Sequence, residues 1–192
     1  SVRSLDLVGN QLCGVDRYGR GTYITEGITK LCEGLKGSTV TSLNIWGNHI
    51  GAEGASALAA ILKETQITIL RLMNSNIGDK GTSALAAILK EMQISELDLG
   101  VNNIGPEGGA ALAEGLKGNT TLQKLDLNDN QLCGLYKDDD GKVQGTYTAE
   151  GITKLCEWLK GSAVTSLNLK ANDIGDKGAS ALAAVLKETQ IT

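Results

Sequence analysis

Along this chain, apolar and polar residues alternate over four positions, an asparagine follows, and the same frame returns after a longer, helix-like stretch. In Leu125-Asp-Leu-Asn-Asp-Asn130-Gln-Leu132 the frame reads L-x-L-x-x-N-x-L/I, and it recurs at Leu5/Leu7/Asn10/Leu12, Leu43/Ile45/Asn48/Ile50, Leu97/Leu99/Asn102/Ile104 and Leu167/Leu169/Asn172/Ile174. A sixth copy, Leu70/Leu72/Ser75/Ile77, carries serine in the asparagine slot. Alternation sends every second side chain to one face, which predicts a short strand in each copy. The asparagine column, Asn10, Asn48, Ser75, Asn102, Asn130 and Asn172, falls where the chain must turn. A carboxamide donates and accepts at once, so stacked copies can satisfy backbone groups of neighbouring turns as a structural ladder.

The stretches between strands predict helices, because small and apolar residues recur at three- and four-residue spacing, as in Ala55, Leu58, Ala59 and Leu62. Pro106 suits a first helical position, Thr148 a cap, and acidic Glu53, Asp79, Glu107 and Asp176 sit at helix starts, where the macrodipole favours them. From Asn48 to Ser75 to Asn102 the interval is 27 residues each time, but two intervals are longer. The first and fifth repeats therefore carry insertions, at about residues 14–23 and 134–147, each opening with Leu-Cys-Gly and closing with Gly-Thr-Tyr. Val40 to Thr68 recurs as Val164 to Thr192, so four repeats form a larger unit whose second copy breaks off at Thr192. A piece of a longer array, with sticky ends and end-to-end self-association, is the expectation.

These features resemble the leucine-rich repeat family over the whole chain. Gly51-Ala-Glu-Gly-Ala-Ser-Ala-Leu-Ala-Ala-Ile-Leu-Lys63 and its counterpart from Gly105 to Lys117 look like the helical half of a ribonuclease-inhibitor-like repeat, a subfamily that also forms the sensor end of NOD-like receptors. The resemblance implies an α/β fold: a right-handed solenoid, or horseshoe, of about six to seven repeats. Parallel strands would line its concave face and helices its convex one. It also implies a protein partner.

Composition narrows the function classes. A net charge of -4, a pI near 5.1 and the absence of phenylalanine offer neither a basic stripe for a phosphate backbone nor a stacking platform for bases, so nucleic acid is not an expected partner. No apolar run reaches the roughly 18 residues of a membrane span, and the expected setting is the cytoplasm. Four cysteines fall as two equivalent pairs, Cys13 with Cys32 and Cys133 with Cys156. Small buried thiols filling core space are one reading; a disulfide within each pair, which needs an oxidising compartment, is the other.

Candidate chemistry is sparse. His49 stands alone at a strand exit, where an exposed turn residue is expected. The glycines of Gly14-Val-Asp-Arg-Tyr-Gly-Arg-Gly21 are followed by no Walker lysine-serine pair. Asp138-Asp-Asp-Gly141 has calcium-ligand types without the alternating D-x-D-x-D-G order, and the first insertion has Arg17-Tyr-Gly-Arg20 instead, so a solvated acidic tip is expected. No catalytic constellation, metal or cofactor is expected.

What varies over the fixed frame is the outward column of each strand. Val8, Trp46, Ile69 and Met73 would form an apolar patch with Arg71, and Glu96, Asp98, Asp126 and Asp129 an acidic one. Aligned exposed apolar residues mark contacts, and Trp and Arg are common interface hot spots. Trp158, in the helix slot of Gly34 and Ile61, is expected to pack between helices. The sequence thus reads as a non-catalytic module that binds a partner protein through its concave face, in one version as part of a receptor-like protein. The alternative is a scaffold segment of a larger assembly, bound through helices, insertions or open ends.

Overall fold

A computed structural model describes residues 1–16 and 18–192; Arg17 lies outside the described residues. Six short strands form one parallel sheet: β1 (Ser4–Asp6), β2 (Ser42–Asn44), β3 (Ile69–Arg71), β4 (Glu96–Asp98), β5 (Lys124–Asp126) and, last in the sheet, β8 (Ser166–Asn168). The second insertion supplies a separate antiparallel hairpin, β6 (Leu135–Lys137) with β7 (Val143–Gly145). Helices α1 (Glu26–Leu35), α2 (Gly51–Leu62), α3 (Gly78–Leu89), α4 (Pro106–Gly115), α5 (Glu150–Leu159) and α6 (Gly175–Val185) alternate with the sheet strands.

Register follows the leucine frame: Leu5, Leu43, Leu70, Leu97, Leu125 and Leu167 pair in line across the sheet. The inner copies of this column are buried, and so are Leu58, Leu85, Leu112 and Leu155 on the facing helices, which gives one core running between sheet and helices. Strands pack about 4.8 Å apart and helices about 8–10 Å apart, so a stack of such repeats must curve with its strands on the inside. The outward strand positions therefore lie on a concave face.

The asparagine ladder joins each repeat to the one before it. Asn102 is wholly buried; its Nδ2 donates to the Leu72 carbonyl at 2.9 Å, and its Oδ1 accepts the N–H groups of Ser75 at 2.9 Å and Ile77 at 3.3 Å. Asn48 serves Leu7, Asn10 and Leu12 in the same way, and Asn130 serves Leu99, Asn102 and Ile104. Asn172 reaches Leu127 and Leu132. Ser75 breaks the chain of contacts, because its hydroxyl reaches only the Met73 carbonyl of its own repeat.

Each of these six helices has an acidic residue in its first turn, as the macrodipole argument expects, and Pro106 occupies the first turn of α4. Asp79 does more: its Oδ1 accepts the N–H groups of Gly105 at 2.7 Å and Gly108 at 2.9 Å, tying α3 to the start of α4. Thr148 sits one residue outside the expected place. Ala149 occupies the cap of α5, and the Thr148 hydroxyl accepts the Glu150 N–H at 3.2 Å.

Both insertions close on the same neck. A Cβ on Gly14 would lie 2.4 Å from the Thr22 carbonyl oxygen, and one on Gly21 would lie 2.2 Å from that of Gly14, so the two flanks approach too closely for any side chain. Gly134 and Gly145 repeat this arrangement, which is why each insertion opens with Leu-Cys-Gly and closes with Gly-Thr-Tyr. The closing tyrosine then docks on the next repeat. Tyr23 donates to the Ile50 carbonyl at 2.6 Å and Tyr147 to that of Ile174 at 2.6 Å, each phenol lying against the glycine that opens the following helix.

All four cysteines are free, buried thiols, so the core-filling reading holds and the disulfide reading does not. Burial pushes the Cys32 and Cys156 thiols up to about 11, and raises those of Cys13 and Cys133. No helix among the described residues is long and apolar enough to cross a membrane.

Candidate interaction surface

Five of the six sheet strands end in the same local turn. The side-chain oxygen of the Asp or Asn between the two framework residues accepts the N–H two residues on: Asp6 from Val8 (3.1 Å), Asn44 from Trp46 (3.2 Å), Asp98 from Gly100 (3.0 Å), Asp126 from Asn128 (2.9 Å) and Asn168 from Lys170 (3.1 Å). This is an Asx turn, in which a short polar side chain closes the strand. The third strand has Arg71 there. A guanidinium has no acceptor, so Met73 receives no such bond, and Arg71 turns sideways instead. Its Nη2 and Nε lie 2.6 and 2.8 Å from Glu96 Oε1.

The expected apolar and acidic patches are thereby linked by an ion pair. On the apolar side Val8 and Trp46 are 41% and 43% exposed, while Ile69 and Met73 are half-buried beside them. On the acidic side much of the charge is already engaged within the sheet. Asp126 also accepts from Asn128 Nδ2 at 2.6 Å and Asn168 Nδ2 at 2.8 Å, and the Asn128 side chain folds over Gly100, filling the place a side chain would take there. Burial, above all, raises the Asp98 carboxyl above its ordinary value, with the Asp126 charge adding to the effect and Arg71 opposing it. Asp129 is exposed at the strand exit, with its backbone in the left-handed region.

Two residues behave differently from the sequence expectation or sharpen it. His49 is not an exposed turn residue: it is half-buried, and its Nε2 is sealed from solvent with no hydrogen-bond partner. No local pattern in the sequence announces this. Trp158 is half-buried as expected between helices, and its Nε1 donates to the Leu116 carbonyl of the preceding repeat at 3.0 Å. In the second insertion the Asp138 carboxylate accepts from the Lys142 N–H at 2.8 Å and Gln144 Nε2 at 2.7 Å, organising the hairpin as Asp16 organises the first.

The family model for the leucine-rich repeat matches residues 38–59, 65–86, 94–113, 118–132 and 163–183, just over half of the chain. The chain belongs to the leucine-rich repeat family. The stretches that the leucine-rich repeat model leaves out contain both insertions. No curated protein matches the chain. Among solved structures it is similar to the one described as "Leiomodin-1 Actin-Binding Site 2 (ABS2)", with a TM-score of 0.64, 18% identity, and coverage of 88% of this chain and 90% of that one. At that identity the likeness is one of fold.

Proposed function

We propose that this chain is a non-catalytic module that holds a partner protein on its concave face, centred on Trp46, Ile69, Arg71 and Met73. The observation that carries this reading is the third repeat. It alone gives up the Asx turn, through Arg71, and it alone gives up the ladder asparagine, through Ser75. Departures from a rule kept by every neighbour concentrate where function competes with folding. Here they coincide with the aligned apolar side chains and an arginine. Val8 extends the patch, and Glu96, Asp98, Asp126 and Asp129 form its acidic flank.

Regular helices on the convex side support the ribonuclease-inhibitor-like version of the fold, with a receptor-like parent as one setting. The free, buried thiols fit a reducing compartment such as the cytoplasm. The similar solved structure is named for actin binding, which makes purified actin the first probe.

The test is capture of binding proteins by the immobilised chain, compared with Trp46→Ala and Arg71→Ala and with Lys30→Ala on the convex side as control. Each concave variant should weaken a bound species by about tenfold or more, the scale of a hot-spot residue. Binding unaffected by either concave variant would instead favour the scaffold reading, with contacts through helices, insertions or ends.

A further inference from the structure

Where the first insertion folds against the start of α2, an open cleft of about 490 Å³ is walled by Val15, Tyr23, His49, Ala52, Glu53 and Asn76. It lies at the strand exits and helix starts, and none of its wall residues belongs to the concave patch. A second recess continues it past Tyr23, beside exposed Ile24 and the carboxylates of Glu26 and Glu53. We propose that this cleft binds a lysine-containing, aliphatic segment of a partner protein.

The chemistry of the walls selects that occupant. Glu53 makes no ion pair among the described residues, and it approaches the Tyr23 hydroxyl. Asn76 Oδ1 already accepts from Asn103 Nδ2 at 3.0 Å. The nearby cation Arg20 is committed to Asp16 at 2.7 Å. The cleft therefore offers a carboxylate that pairs with no cation among the described residues and an aromatic ring of the kind that attracts ammonium groups. Val15 and Ala52 supply the apolar wall along which a lysine stem can lie. Ile24 and Glu26 extend the same pairing of apolar surface and negative charge.

The chain carries its own control. In the second copy Tyr147 and Gly175 keep the framework, but Asp173 stands in the place of His49 and Lys177 in that of Glu53. The same fold thus accepts lysine at this position, and its charge there is reversed.

The experiment is a titration of the isotope-labelled chain with acetyl-Lys-Leu-Lys-amide, followed by amide chemical shifts, with acetyl-Glu-Leu-Glu-amide as the opposite-sign probe. The lysine peptide should move the amides of Tyr23, Ala52 and Glu53 and the glutamate peptide should not. Glu53→Lys should leave the remaining spectrum in place and weaken the effect at least about tenfold, with Glu53→Gln as the milder second variant. Trp46→Ala should change nothing. Equal responses to both peptides, shifts confined to other residues, affinity unchanged in both Glu53 variants, or loss in Trp46→Ala would each overturn the assignment.

Discussion

The Asn102 carboxamide accepts the Ser75 N–H at 2.9 Å, but Ser75 has no equivalent group to offer the repeat before it. Elsewhere in the ladder that group would accept the N–H of the preceding asparagine and of the apolar residue two places on, here Asn48 and Ile50. Both of these residues are buried. Ser75→Asn should therefore complete the ladder and stabilise the chain by roughly 0.5–1.5 kcal/mol, the net value of a hydrogen bond in such a setting. A denaturant midpoint that falls, or does not move, would count against this.

The two insertion tyrosines give a paired prediction. Tyr23→Phe and Tyr147→Phe each remove one donor from a helix-start carbonyl while keeping the ring that lies against Gly51 or Gly175. Each should cost about 0.5–1.5 kcal/mol. The sites lie four repeats apart without shared partners, so the double variant should lose the sum within about 0.5 kcal/mol. Equilibrium unfolding of the three variants checks both the size and the additivity.

Much of this architecture was legible because two periods coincide. Leu43, Leu70, Leu97 and Leu125 alternate within strands and repeat between them, so strand, register and buried face could all be read from them. The small residues flanking Leu58 and the four thiols were likewise readable as core. Side-chain bonds across repeats were harder. The Asp98 and Asp126 column reads as free acidic surface until the Asx turns are seen, although Asp or Asn at five of six positions was the available signal. The Tyr23 and Tyr147 contacts depend on a hairpin folding back over the next turn; Gly51 and Gly175, equally spaced after each tyrosine, hinted at them. The sealed Nε2 of His49 has no local signature.

Asp98 gives the pH dependence. Its carboxyl is raised by burial above the ordinary 3.8, so the folded chain holds this proton over a wider pH range than the unfolded chain does. By linkage, its contribution is most favourable in acid below 3.8 and is lost as pH rises through the higher folded value. Asp98→Asn keeps an oxygen for the Gly100 N–H, as Asn44 and Asn168 do for their turns, and removes the buried charge. The variant should melt higher at neutral pH, and its advantage should shrink as pH falls toward 3.8. Thermal melts across that range test the sign; an advantage that grows in acid would show that ionised Asp98 stabilises the sheet.

Val101 holds the last prediction. Its φ is +54°, in the left-handed region where a β-branched side chain crowds its own backbone. The corresponding turn position is Gly9, Gly47, Asn74, Asp129 and Ala171 in the other repeats, all smaller or better suited to that conformation. The neighbouring bonds leave Val101 little freedom to escape. Its N–H donates to the Asn128 carbonyl at 2.8 Å, and the next residue's N–H donates to Asn130 Oδ1 at 3.0 Å, so the ladder fixes the turn regardless of the side chain. Left-handed backbone costs about 1–2 kcal/mol for an ordinary residue, and asparagine relieves part of that through local hydrogen bonding. Val101→Asn should therefore raise stability by about 1 kcal/mol. The reciprocal change tests the cause: Asn74→Val places the same side chain in the same turn, at φ +51°, and should lower stability by a comparable amount. If both substitutions moved the unfolding midpoint in the same direction, contacts of the side chains rather than backbone strain would be setting the stability of this turn.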